Sequence, residues 1–162
     1  MLPQQEAEGW SSLKNQFPLV KSFRDCTENQ LEKLRDALSE ILFKRCHFVV
    51  NEIRRVNEAV AALDKNDFEK LGQLMYETHD GLSKEYEVSC EEIDFLVASV
   101  RHEKSVLGAR MMGGGFGGCS LNLVEKGTEE ALITKISEAY LKEFGLTLSA
   151  YKVKISKGTT NV

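Results

Sequence analysis

The spacing of apolar residues predicts helices in the amino-terminal half of the chain. After a T-x-x-Q capping box at Thr27–Gln30, apolar side chains recur every three or four positions, which is the period of an amphipathic helix. This pattern predicts one helix from Thr27 and a longer one over about 44–64. Asn66 is predicted to cap a third helix, and an S-x-x-E box beginning at Ser89 predicts a fourth.

The pattern changes in the carboxyl-terminal half. Val106–Met112 has no helical period, and Cys119–Leu123 alternates polar and apolar residues as a half-buried strand does. Thr128 is predicted to cap a further helix that Gly145 ends, and Tyr151–Ile155 alternates again as a last strand. A helical half followed by strand, glycine loop, strand, helix and strand predicts an α+β fold with a small antiparallel sheet.

The first sixteen residues are mostly polar and carry no apolar stripe. We therefore expect residues 1–16 to form a mobile arm or the remnant of a linker, and residues 17–162 to form one domain. A chain of this length buries about 68–70% of the surface that its unfolded form exposes. With 42% hydrophobic residues, intrinsic disorder is excluded for the body of the chain.

Charge and cysteine usage exclude several classes of function. Lys and Arg number 21 against 25 Asp and Glu, whereas a protein that binds nucleic acid carries a basic excess or patch. No segment reaches the roughly 20 apolar residues of a membrane span, and the first residues do not resemble a secretory signal. Four cysteines without a C-x-x-C pair indicate buried thiols in a reducing, cytoplasmic compartment. We therefore expect no nucleic acid, membrane or metal as a ligand of this chain.

Five of the twelve glycines lie in one six-residue segment: Gly113, Gly114, Gly115, Phe116, Gly117 and Gly118. The segment matches G-x-G-x-x-G, but a strand follows it where a dinucleotide-binding site needs a helix, and there is no G-K-[ST] ending of a Walker A loop. One interpretation is a tight hairpin, which requires only one or two glycines. The interpretation that we favour is a loop that lies against a phosphate or a second domain.

Other candidate residues are less specific. His79 and Asp80 could be a general base and its orienting carboxylate, but no nucleophile motif adjoins them, so a hydrogen-bonded pair at a helix end is favoured. Arg110 precedes the loop and could either reach a phosphate or pair with a carboxylate. The acidic residues over 85–94 do not fit a calcium-binding loop and are predicted to be a solvated face with helix-start charges.

Three segments resemble galactokinases, which belong to the GHMP small-molecule kinases. They are Lys44–Arg55 (KRCHFVVNEIRR), Glu77–Asp94 (ETHDGLSKEYEVSCEEID) and Gly108–Val124 (GARMMGGGFGGCSLNLV), and they occur in the family's order. The last one is similar to the third sequence motif of these enzymes. The resemblance covers about Phe17 to Ile155 and implies the ferredoxin-like carboxyl-terminal domain of a GHMP kinase.

The departures from the family pattern define what this chain could do. It lacks the motif G-R-x-N-x-x-G-E-H-x-D-Y that contacts the sugar and the loop P-x-G-x-G-L-S-S-S-A that cradles ATP. The catalytic aspartate of the family and its arginine partner belong to that amino-terminal domain, so the resemblance implies no catalytic residue here. Met112 stands where the family usually has threonine, which removes any hydroxyl contact at that position.

The resemblance implies a function for the whole enzyme rather than for this chain. A galactokinase transfers the γ-phosphoryl group of ATP to the C1 hydroxyl of D-galactose with Mg²⁺, and the glycine loop would lie beside sugar and phosphates at the interface with the amino-terminal domain. Two alternatives stay open: a sibling hexose kinase, such as an N-acetylgalactosamine kinase, and a non-catalytic binding or regulatory module. A chain without its partner domain is also expected to self-associate through the exposed loop face or sheet edge.

Overall fold

Helices and one hairpin make up the described part of the computed structural model, which covers residues 2–153, with side chains from residue 7 onward. The elements are α1 (Leu2–Gln16), α2 (Glu28–Glu32), α3 (Glu40–Asp64), α4 (Phe68–Lys84), α5 (Glu91–Val100), β1 (Val106–Met112), β2 (Cys119–Val124) and α6 (Glu129–Phe144). The two strands are antiparallel neighbours, so the predicted α+β class is confirmed.

Helix starts follow from local capping, with two corrections in the amino-terminal half. The capping box at Thr27 is confirmed: its side chain accepts the Gln30 N–H, and the Gln30 side chain accepts the Thr27 N–H. The helix that it starts is only five residues long, however. The next helix, α3, begins at Glu40 rather than near residue 44, because Ser39 accepts the Leu42 N–H at 3.3 Å and caps it there.

Two further predicted caps are also wrong by one residue. Asp67, not Asn66, caps α4 by accepting the Lys70 N–H at 2.9 Å. Cys90 occupies the cap position of α5 without a side-chain hydrogen bond, and the Ser89 hydroxyl donates instead to Asp94. Competing local hydrogen bonds therefore choose between adjacent polar residues, which the sequence motif alone does not distinguish.

The predicted mobile arm is instead a helix over the residues that the structure describes. In α1, Leu13 is fully buried in the amino-terminal core, and Trp10 packs against it. Gly9 allows the helix to approach α3 closely, since a Cβ there would lie 2.3 Å from the Cys46 sulfur. The prediction failed because few apolar side chains anchor this helix, too few to form a recognisable stripe.

The hairpin packs under α4, and two glycines make this contact possible. β1 pairs with β2 from Val106 opposite Val124 to Met112 opposite Cys119. At the crossing, a Cβ on Gly72 of α4 would lie 1.9 Å from the Leu107 carbonyl oxygen, and a Cβ on Gly108 would lie 2.4 Å from the Gly72 Cα. The backbones of α4 and β1 are therefore in direct contact, and this contact fixes the position of the hairpin relative to α4.

The predicted last strand is absent from the described residues. Tyr151–Val153 has no strand assignment, and Tyr151 is 84% exposed; the remainder of that prediction, residues 154–155, lies outside the described residues. The chain divides into one compact unit that extends to Glu125 and a second that begins at Lys126. In the second unit, Gly145 ends α6 in the left-handed conformation, as predicted.

Candidate functional site

The loop between β1 and β2 is rich in glycine because its backbone requires positive φ angles. Gly113, Gly115, Gly117 and Gly118 have φ values of 112°, 95°, 126° and 107°, and Phe116 has 58°. Side chains with a Cβ rarely adopt such values, which explains four of the five glycines. A simple two-residue hairpin turn would need fewer, so the glycine count reflects a longer and more contorted loop.

Among the described residues, the loop is attached to the segment before α5, and several of its glycines are open. The Phe116 N–H donates to the Val88 carbonyl oxygen at 2.7 Å, and a Cβ on Gly115 would lie 2.7 Å from that same oxygen. Val88 itself is buried. By contrast, a Cβ on Gly113, Gly114 or Gly117 would meet nothing within 4 Å. The loop therefore presents backbone to open space on both sides of a fixed centre.

Phe116 and Met112 expose large apolar side chains at this end of the hairpin. Phe116 is 72% exposed, and its backbone is in the left-handed region, which is strained for a residue with a side chain. Met112, the last residue of β1, is 45% exposed. The single residue of the loop that carries a side chain is thus held outward, away from the buried core.

Arg110 lies against a carboxylate rather than at the loop. Its Nη1 is 4.0 Å from Glu52 Oε1, and its Nε donates to the Met111 carbonyl oxygen at 3.2 Å. Glu52 also accepts hydrogen bonds from Arg55 at 2.8 Å and from Thr78 at 3.0 Å. These residues line a pocket of about 100 Å³ between α3 and α4. Of the two alternatives that the sequence left open, this geometry favours the carboxylate pair.

His79 and Asp80 do not form the predicted pair. Asp80 instead accepts two hydrogen bonds from Arg101, at 2.9 and 3.2 Å. Burial by itself raises the pKa of Asp80, but the hydrogen bonds and charge of Arg101 lower it below its usual value. The buried His79 ring accepts the Met111 N–H at Nδ1, at 3.3 Å, and its Nε2 lies 3.3 Å from Asp94 Oδ1.

Asp94 was predicted to belong to a solvated face with helix-start charges, and it does lie, partly exposed, in the first turn of α5; the prediction missed its internal contacts. Its carboxylate accepts hydrogen bonds from the hydroxyls of Ser83, at 2.8 Å, and Ser89, at 2.5 Å, besides facing His79. Desolvation lowers the pKa of His79, and the nearby carboxylate charges oppose that effect only in part. The imidazole is therefore neutral at pH 7, which its role as acceptor for Met111 requires.

The described residues supply an open loop without a metal-binding cluster. Among residues 7–153, no three His, Cys, Asp or Glu side chains come together in a way that could hold a metal ion. No helix in that part of the chain is long and apolar enough to cross a membrane. What this end of the hairpin could offer a ligand is exposed backbone in a fixed loop.

A family of known domains matches this chain. The family described as "GHMP kinases C terminal" matches residues 59–142, a little over half of the chain. The match includes α4, α5, both strands and the glycine loop. It confirms the resemblance to GHMP kinases that the three sequence blocks indicated.

Curated relatives and a solved structure agree with this match. The galactokinase of Thermotoga petrophila is 42% identical over 142 residues, which are 88% of this chain and 39% of that protein. The galactokinase of Roseiflexus sp. is 36% identical over 151 residues, 93% of this chain and 39% of that protein. The crystal structure of Lactococcus lactis galactokinase complexed with galactose superposes with a TM-score of 0.77 at 28% identity, and covers 88% of this chain. The chain thus spans about two fifths of the length of these relatives.

Proposed function

The chain belongs to the GHMP kinase family through its carboxyl-terminal domain, and from this premise we propose that it is the carboxyl-terminal part of a galactokinase. The whole protein would transfer the γ-phosphoryl group of ATP to the C1 hydroxyl of D-galactose. The observation that carries the proposal is the glycine loop, Gly113–Gly118, within a chain that is 42% identical to a galactokinase over 142 residues.

The proposed role of the loop is to close the active site beside the sugar and the phosphates. Phosphoryl transfer depends mainly on positioning and on stabilisation of charge, so a fixed backbone at close range is useful without any proton transfer. The open space around Gly113, Gly114 and Gly117 supports this role, because a ligand could approach the backbone there. The attachment of Phe116 to Val88 supports it too, because a loop that is held needs no ordering when the ligand binds.

The catalytic aspartate and arginine of the family, and the loop that cradles ATP, are proposed to lie in another part of the whole protein. Mg²⁺ bound with ATP supplies charge neutralisation at the phosphates in such a reaction. The side chains of residues 7–153 offer no cluster of three ligating groups, so we do not assign the ion to this part of the chain. We propose a cytoplasmic location, in line with four cysteines that form no disulfide.

A chimera tests this function. This chain replaces the matching segment of the Thermotoga petrophila galactokinase, and ADP formation is followed with ATP and either D-galactose or N-acetylgalactosamine. We expect turnover with galactose, and none from the 162-residue chain alone. A chimera that folds, as judged by a cooperative thermal transition, but stays inactive with both sugars contradicts the proposal. Turnover with N-acetylgalactosamine alone would instead favour the sibling hexose kinase.

We also propose that this chain self-associates when it is separated from the rest of the protein. Phe116 and Met112 expose apolar side chains at the loop that the whole enzyme would cover. Sedimentation velocity checks this: we expect a concentration-dependent shift toward dimer, and that shift should shrink in Phe116→Ser. A monomer at every concentration contradicts it.

A further inference from the structure

One partly exposed carboxylate, that of Asp94, is connected both to the strand before the glycine loop and to the middle of the loop. Asp94 of α5 faces His79, which holds the strand just before the loop, and it binds Ser89, which follows the residue that holds the middle of the loop. We propose that His79 and Asp94 are positioning residues for the glycine loop, acting through Met111 and Val88. This inference rests on the proposed function of the loop.

The first connection runs through His79. Its Nδ1 accepts the Met111 N–H at 3.3 Å, and Met111 lies two residues before Gly113. Its Nε2 lies 3.3 Å from Asp94 Oδ1. Both ring nitrogens therefore have partners on different elements, and the ring joins β1 to α5 across α4. Met111 and His79 are both buried, so water does not compete readily for the hydrogen bond between them.

The second connection runs through Ser89. Its hydroxyl donates to Asp94 Oδ1 at 2.5 Å, which fixes the segment between α4 and α5. The preceding residue, Val88, accepts the Phe116 N–H at 2.7 Å and is the contact surface of Gly115. Ser83 also donates to Asp94, at 2.8 Å, but it belongs to α4 and contributes nothing to this segment directly. The two serines thus bind the same carboxylate, but Ser89 belongs to the segment that contacts the loop and Ser83 belongs to α4.

The His79 connection requires one protonation state. An imidazole that accepts at Nδ1 must carry its proton on Nε2, where it donates toward Asp94. The charged groups around the ring are Asp94 of α5, Asp80 and Lys84 of α4, and Arg101 at the end of α5. Desolvation outweighs the two carboxylates among these and lowers the pKa of His79, so the neutral ring prevails at pH 7.

Nuclear magnetic resonance on the full 162-residue chain tests the first connection. The ¹⁵N shifts of His79 should report a neutral ring protonated at Nε2. His79→Asn keeps an oxygen acceptor near the position of Nδ1, whereas His79→Gln places its amide near Nε2 instead. We expect amide exchange of Met111 to accelerate about tenfold in His79→Gln and much less in His79→Asn. Equal acceleration in both variants means that the ring only fills space, and overturns the proposal.

A pair of serine variants tests the second connection. Ser89→Ala should accelerate amide exchange of Phe116 about tenfold, while Ser83→Ala, which removes a hydrogen bond to the same carboxylate, should leave it within about twofold. If both variants change Phe116 equally, Asp94 stabilises the fold in general and does not position the loop. Exchange measurements on this chain do not depend on the proposed kinase activity.

Kinetics in the chimera then connect the network to function. His79→Gln should lower kcat about tenfold with little change in the KM for ATP, and His79→Asn should restore most of the loss. If exchange responds as expected in a chimera that is active but kcat does not change, the network holds the loop without serving catalysis, and the positioning role is wrong. If the unsubstituted chimera is inactive, the proposed function has failed. The exchange results still decide whether His79 and Asp94 hold the loop in position.

Discussion

Gly114 and Gly115 are neighbours in the loop, yet an alanine should have different effects at the two positions. Gly115 has a φ of 95°, and a Cβ there would lie 2.7 Å from the Val88 carbonyl oxygen and 2.8 Å from the Val88 Cβ. Gly114 has no positive φ, and its Cβ would meet nothing within 4 Å. The pair therefore separates the effect of loop geometry from the effect of simply losing a glycine.

The expected magnitudes follow from these contacts. An alanine held in the left-handed region costs of order 1–3 kcal/mol. Overpacking against a buried neighbour costs a further amount of about 1–3 kcal/mol if nothing yields. The loop can relieve both by lifting off, which sacrifices the hydrogen bond between Phe116 and Val88, worth about 0.5–1.5 kcal/mol. Because lifting off is the less costly response, we expect Gly115→Ala to lose about 1 kcal/mol, and Gly114→Ala to stay within about 0.5 kcal/mol of the parent chain.

Urea unfolding of the 162-residue chain measures the difference, with the free energy of unfolding obtained by linear extrapolation. The slope against urea should be the same for the parent and both variants, so that the midpoints compare stability directly. A loss of the same size at both positions, or no loss at Gly115, would refute the argument that contact with Val88 fixes the loop.

Three other variants test the packing and charge that support the site. Gly72→Ala should be among the most destabilising single changes, by about 3 kcal/mol, because a Cβ 1.9 Å from the Leu107 carbonyl oxygen forces helix and strand apart; urea unfolding measures it, and a loss below about 0.5 kcal/mol contradicts it. Leu13→Ala should cost about 2–5 kcal/mol in the same assay if α1 packs on the core, and nothing if those residues are a free arm. Asp80 has a lowered pKa in the folded chain, so its contribution to stability is complete above its ordinary pKa of about 3.9 and is lost as the pH falls through the folded value. Asp80→Asn should therefore flatten the decline of the unfolding free energy in acid below that pH, and an unchanged acid profile would show that Arg101 contributes nothing through this carboxylate.

Local patterns predicted what depends on local physics. The period of apolar residues identified α3, α4, α5 and α6, since each helix buries one face and exposes the other to solvent. The glycine cluster identified the loop, because positions with positive φ angles favour glycine over other residues. Three sequence blocks were enough to identify the family, because they resemble the family's blocks and occur in the same order.

Contacts between residues far apart in the sequence could not be predicted in this way. Asp94 looked like one of several helix-start acids, and only the meeting of α4, α5 and β1 makes it the partner of His79. The helix α1 was missed because Leu13 and Trp10 are too few to form a stripe, although Leu13 is fully buried and Trp10 packs against the core. Arg110 could not be assigned because both a phosphate and a carboxylate attract a guanidinium, and the choice depends on the distance to Glu52.

The most direct measurement of the central claim is the activity of Gly114→Leu in the galactokinase chimera. A leucine there has room in this chain, so it should not unfold the domain, but it would fill the space in which the sugar and phosphates are proposed to lie. Ala131→Leu, an exposed change on α6, controls for adding the same type of side chain elsewhere. We predict that Gly114→Leu lowers kcat/KM for galactose about a hundredfold, equivalent to about 2.7 kcal/mol, while the unfolding free energy stays unchanged. Full activity in a stable Gly114→Leu chimera would contradict the placement of the glycine loop at the active site.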